Sequence, residues 1–161
     1  AVYVPVLDLL YVGCAELGAY RLDSAGAAPE TKRSGSPEAA AEALIHRAVK
    51  LPVAESAPEV FTVMGSRSHP SADLEAYIEK LKREHGRIHF ISAGSSLKIC
   101  RVAEGAAHVY PRLGPTMEWD TAAGQAVAEF SGAAVLEYAS NSPLKYNKED
   151  LLNPWFIVKR E

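Results

Sequence analysis

Arg87-Ile88-His89-Phe90-Ile91-Ser92-Ala93-Gly94-Ser95-Ser96-Leu97-Lys98-Ile99-Cys100-Arg101-Val102-Ala103-Glu104-Gly105 is the stretch on which the fold turns. Arg87 to Ile91 alternates in the manner of a β-strand, and small residues follow. The spacing then predicts a helix over Ser96 to Glu104, closed by Gly105. Within it Lys98, Arg101 and Glu104 form a narrow polar stripe, while Leu97, Ile99, Cys100, Val102 and Ala103 fill the rest. A helix apolar over so much of its circumference is mostly buried. A strand feeding a buried helix is the repeating unit of an α/β sheet.

The same alternation continues on both sides. Upstream, Val60 to Met64 reads as a strand. Ser71 caps a helix with Leu74, Tyr77, Ile78 and Leu81 at helical spacing, ending near Gly86. Downstream, a strand runs through Val109, and Asp120 opens a helix with Ala123, Ala126, Val127 and Phe130 on one side and Gly132 beyond its end. Ala133 to Leu136 and Phe156 to Val158 complete the strands. The expectation is α/β: a three-layer α-β-α lobe with helices on both faces of one sheet.

The first third of the chain differs. Val2-Tyr3-Val4, Leu9-Leu10-Tyr11-Val12 and Ala19-Tyr20-Arg21-Leu22 are short β-prone runs separated by turn residues, predicting an antiparallel meander. Residues 23–36 read as an exposed loop, and Ser36-Pro37 as a helix start whose alanine-rich run extends to about His46. Pro52 to Pro58 is a second break. The division expected is 1–52, strands and a helix, and 53–161, the α/β lobe.

The chain has 161 residues, 48% of them hydrophobic and 23% charged, as in a soluble globular protein. A net charge of −3 provides no basic footprint for nucleic acid. The apolar opening is too short to span a bilayer and lacks a leader's basic flank. Cys14 and Cys100 are too few and too far apart for a disulfide framework or a zinc site, so free thiols in a reducing cytoplasm are expected.

Four positions could carry chemistry. Gly94-Ser95-Ser96 lies between a strand end and a helix start, where free N–H groups favour an anion; a serine-capped turn is the commoner arrangement at such a place. Lys98 in the first helical turn sits at the positive end of the dipole, which suggests an anion nearby; the alternative is a snorkelling lysine with its head in water. Arg112 follows Tyr110-Pro111 at a strand end, and its planar fork suits phosphate, though a solvated loop arginine looks the same. Asp120 is readable as an N-cap or as a hard oxygen ligand for magnesium.

The runs Gly94 to Cys100, Ala103-Glu104-Gly105, Tyr110 to Pro115 and Trp119-Asp120-Thr121-Ala122-Ala123-Gly124, in this order, resemble the C-terminal signature of the inositol monophosphatase-like, magnesium-dependent phosphatases. The likeness extends from Val4-Pro5-Val6 to Leu152-Asn153-Pro154-Trp155, and it is strongest to the 3'(2'),5'-bisphosphate nucleotidase branch. It implies a sugar-phosphatase-like fold and hydrolysis of 3'-phosphoadenosine 5'-phosphate to AMP and phosphate, with an inositol or sugar phosphate as the alternative substrate. It implies Asp120 as a Mg2+ ligand, and Ser95, Lys98 and Arg112 as holders of the nucleotide's phosphates and ribose. Ser66-Arg67-Ser68-His69 resembles a further family stretch, implying His69 against the nucleotide; a surface loop histidine reads the same.

The family's glutamate-bearing motif and Asp-Pro-x-Asp-Gly-Thr motif do not occur in these 161 residues. The chain is therefore expected to be the C-terminal lobe plus the last strands of an N-terminal lobe, a fragment without a complete catalytic set. A non-catalytic nucleotide-binding module is the competing reading. Exposed strand edges in such a fragment would favour self-association.

Overall fold

The computed structural model describes residues 1–27, 36, 42–53, 58–66 and 71–160. Two sheets organise them. The first is antiparallel, in the order β1-β2-β3-β4, from β1 (Val2–Val4), β2 (Leu9–Cys14), β3 (Gly18–Asp23) and β4 (Val49–Lys50). The meander is as the turn spacing predicts, with Tyr11 facing Val2 on one side and Arg21 on the other. The helix expected from Ser36 to about His46 lies largely outside the described residues; within them, residues 42–45 are helical. Strand β4 follows it and carries no periodic signal, being two residues long.

The second sheet has the order β6-β5-β7-β9-β8, from β5 (Phe61–Gly65), β6 (Ile88–Ser92), β7 (Val109–Arg112), β8 (Ala134–Glu137) and β9 (Phe156–Lys159). Strands β5, β6 and β7 are parallel, while β9 runs antiparallel between β7 and β8. Helix α1 (Ala72–His85) begins where Ser71 Oγ accepts the Leu74 N–H at 3.2 Å and stops at Gly86, whose φ of 71° lies in the left-handed region. Its Tyr77, Ile78 and Leu81 pack on Val63 and Val109, covering one face.

The other face is covered by α2 (Leu97–Ala103) and α3 (Glu118–Phe130). Ile99, Cys100 and Val102 of α2, with Val127 and Ala128 of α3, pack against Met64, Tyr110, Phe156 and Val158. The three-layer lobe is thus present. The same helical layer also touches the first sheet, since Tyr11 and Ala19 share this core, so the described chain is layered helix, sheet, helices, sheet.

Close approach of α3 to β2 is possible because residue 13 is glycine. A Cβ there would lie 2.7 Å from Ala126 O and 2.8 Å from Val127 Cα, both backbone atoms that no rotamer change can move. Gly13→Ala is expected to destabilise the fold by about 1–3 kcal/mol, as overpacking does. Gly114→Ala, at a glycine with nothing within 4 Å, should change stability by less than about 0.5 kcal/mol. Urea denaturation of the two variants beside the parent checks this; equal midpoints would sink the account of the layer contact.

Candidate active site

The parallel strands β5, β6 and β7 end on one side of the sheet, and a cavity of about 290 Å³ opens there. Ser66 follows β5, Ser95 and Ser96 follow β6, and Arg112 is the last residue of β7; Thr116, Asp120 and Thr121 close the far side. Ligands of open α/β sheets bind at this carboxyl edge. Ser95, Lys98, Arg112 and Asp120 all line this one cavity. His69 lies outside the described residues.

Lys98 is only 4% exposed and its ammonium is bonded within the fold at the cavity wall, so the snorkelling alternative, a head in bulk water, fails. Its ammonium donates to the carbonyls of Ala93 at 3.1 Å and Ser95 at 3.0 Å, and stands 5.2 Å from the centre of the Tyr110 ring. Ser95 needs this support: its φ of 51° is a left-handed conformation that L side chains adopt at a cost. Burial, and then the charge of Arg112, hold the Lys98 pKa below its ordinary value. Ser96 is the N-cap of α2 by position, yet its side chain makes no capping bond.

Arg112 donates from Nη2 to the Pro115 carbonyl at 2.8 Å, bracing the loop that leads to α3. Its Nε is buried and, among the described residues, has no hydrogen-bond partner. Between the two cations lies Tyr110, whose hydroxyl is pushed up to about 12 by burial, with Arg112 pulling the other way. Among the described residues neither Lys98 nor Arg112 is ion-paired.

Asp120 is not the residue that opens its helix. Helix α3 starts two residues earlier, at Glu118, behind an N-cap at Met117. Asp120 therefore occupies the third position and reaches back, its Oδ2 accepting the Met117 N–H at 2.8 Å. This is the carboxylate half of a capping box, so the cap-type role survives at a different position. Among the described residues no group of three or more His, Cys, Asp or Glu could hold a metal ion. Among the described residues Asp120 is the one carboxylate lining the cavity, and these residues do not by themselves complete a magnesium site.

Several neighbours of Asp120 escaped the sequence reading. Glu118, 8% exposed, turns away from the cavity and accepts the N–H groups of Asn147 at 2.7 Å and Lys148 at 3.2 Å, besides pairing with the Lys148 ammonium. That ammonium, foremost, holds the Glu118 carboxyl below its usual range. Tyr146 donates its hydroxyl to Gln125 Oε1 at 2.7 Å, and the same oxygen lies 3.1 Å from Thr121 Oγ1. These bonds join residues 21 to 30 positions apart, and no local spacing announces them. Thr121 alone carried a signal, as the neighbour of Asp120 in the quoted run.

The chain is 50% identical over 97 residues to the 3'(2'),5'-bisphosphate nucleotidase CysQ of Escherichia coli K12, a span that is 60% of this chain and 37% of that protein. The CysQ of Salmonella typhimurium is 46% identical over 96 residues, with the same shares. The crystal structure of CysQ from Bacteroides thetaiotaomicron superposes with a TM-score of 0.85 at 45% identity, covering 99% of this chain and 57% of that one. An inositol monophosphatase from Staphylococcus aureus shares the fold at 18% identity, with a TM-score of 0.63 over 98% of this chain and 48% of its own. The chain thus spans a little over half of its structural relative and less of its curated ones. No helix among the described residues is long and apolar enough to cross a membrane. The profile of the inositol monophosphatase family matches residues 1–159, and the chain belongs to that family.

Proposed function

We propose that this chain supplies the anion-binding side of a magnesium-dependent phosphatase of the 3'(2'),5'-bisphosphate nucleotidase type, which hydrolyses 3'-phosphoadenosine 5'-phosphate to AMP and phosphate in the cytoplasm. On this reading residues 1–52 belong to an N-terminal lobe and residues 53–161 form the C-terminal lobe. The observation that carries it is the placement of Lys98 and Arg112 on one cavity with no carboxylate paired to either among the described residues. Two neighbouring cations repel one another, and desolvating Lys98 adds to the cost. A ligand bearing two phosphates would relieve both penalties, whereas an inositol monophosphate needs fewer cations. The Arg112 guanidinium on the cavity wall would supply charged hydrogen-bond donors to it.

Ser95 and its neighbouring hydroxyls would orient phosphate and ribose oxygens, and Asp120 would present one oxygen to the metal. A second reading is favoured by the absence of a three-ligand acidic or histidine cluster among the described residues. On that reading the chain binds the nucleotide without turning it over.

Phosphate release from 3'-phosphoadenosine 5'-phosphate, with and without magnesium and with Asp120→Asn as control, separates the two readings. Magnesium-dependent release abolished in Asp120→Asn supports the enzyme; binding without release supports the module; faster release from inositol monophosphate removes the nucleotide assignment. Either way Arg112→Gln should weaken nucleotide binding roughly tenfold to a hundredfold by calorimetry, the loss expected for a charged hydrogen-bonding partner. A variant binding as tightly as the parent would remove Arg112 from the site.

Affinity should also depend on pH through Lys98. The ammonium is charged below its pKa, which burial and Arg112 hold under the ordinary value, so nucleotide affinity should begin to fall at a pH below about 10.5. Lys98→Met should bind more weakly and lose that step. A decline confined to pH above the ordinary lysine range would contradict the buried, unpaired ammonium.

A further inference from the structure

The run Leu152-Asn153-Pro154-Trp155 has no part in the cavity itself. Its asparagine is nonetheless 4% exposed and bound on three sides to the segment that carries Asp120. Asn153 Nδ2 donates to Thr116 Oγ1 at 3.2 Å and to Thr121 Oγ1 at 3.0 Å, and its own N–H donates to the Thr116 carbonyl at 2.8 Å. Next to it the Glu118 N–H donates to the Leu151 carbonyl at 3.0 Å, and Met117 pairs with Leu152 as an isolated antiparallel bridge.

Thr116 precedes the cap of α3, and Thr121 follows Asp120. A single carboxamide thus brackets the first turn of α3, inside which Asp120 Oδ2 accepts the Met117 N–H. The arrangement is costly, because Asn153 Oδ1 is buried without a partner among the described residues. A well-fitted apolar side chain would fill the space without stranding an acceptor, so packing alone does not explain an amide here.

We propose that Asn153 is a positioning residue: it fixes Thr116 relative to Thr121, and through them the direction in which Asp120 faces the cavity. This rests on the reading of Asp120 as the carboxylate that serves the bound ligand. The geometric claim is testable without any ligand.

Amide exchange and chemical shifts would be recorded by NMR on the chain with Asn153→Ala, Thr116→Val, and Val63→Ala as a core control remote from the cavity. Expected for Asn153→Ala is exchange of the Met117 amide faster by about tenfold relative to core amides, with a shift of that resonance, as for one lost hydrogen bond. Val63→Ala should lower the melting temperature while leaving the Met117 shift in place. Thr116→Val should move Met117 in the same direction by less, and it decides the question if Asn153→Ala does not fold. An unmoved Met117 resonance in both polar variants, with only the melting temperature reduced, would overturn the proposal. Titration with 3'-phosphoadenosine 5'-phosphate and magnesium is a separate arm. No binding by the parent chain counts against the functional reading alone, while the Met117 amide still decides for or against Asn153.

Discussion

One buried carboxylate ties the two sheets together. Glu104, 3% exposed at the C-terminal end of α2, accepts the Tyr11 hydroxyl from β2 at 2.8 Å and Arg21 Nη1 from β3 at 3.0 Å, and pairs with Arg101 of its own helix. Its backbone takes part as well, its carbonyl accepting the Val53 N–H where the chain leaves the first sheet. Removing Glu104 would strand the Tyr11 hydroxyl and leave Arg21 without its partner on the second layer, a loss that destabilises because desolvated groups are left unpaired. Burial first, and then Glu104, push the Tyr11 hydroxyl well above the ordinary tyrosine range, so it remains a donor. With its C-terminal end pinned, the seven-residue α2 has little freedom at its N-terminal end, where Lys98 meets the cavity.

The charges of α2 run against its dipole at both ends: a cation in the first turn and a carboxylate just past the last. The two violations are answered differently. Glu104 has two arginines. Lys98 has two carbonyls, an aromatic face and no anion among the described residues. Local rules broken without an internal counterweight mark functional sites. The contrast between the two ends of one helix supports the anion proposed at Lys98, whereas Glu104 is answered within the fold.

Much of the fold was legible because its periodicities are local. The strand-then-helix alternation, the Ser71 cap and the Gly86 stop each rest on residues within one turn of one another. What escaped rests on longer reach. Strand β4 is two residues defined by pairing with Tyr20 and Arg21. The start of α3 falls at Glu118 because Leu151 and Asn153 pair with 116–118 from across the chain, which moves Asp120 inside the helix. At the site, residue types and order pointed to Ser95, Lys98, Arg112 and Asp120. The burial of Lys98 was hidden because its partners are main-chain carbonyls, which leave no mark in a sequence.

Among the described residues the cavity therefore holds two cations and one carboxylate, and the division of labour on that carboxylate follows from where it sits. Oδ2 is committed to the Met117 N–H, a bond that places Asp120 within the first turn of α3, where the dipole favours a negative charge. Among the described residues Oδ1 takes no further hydrogen bond, and the residue is exposed on the cavity wall. A true N-cap would have spent its carboxylate on amides deeper in the helix. At the third position one oxygen fixes the side chain and the other is left for the ligand proposed above. With its helix starting two residues earlier, Asp120 closes the first turn through Oδ2 and, among the described residues, keeps Oδ1 unbonded on the wall of the cavity.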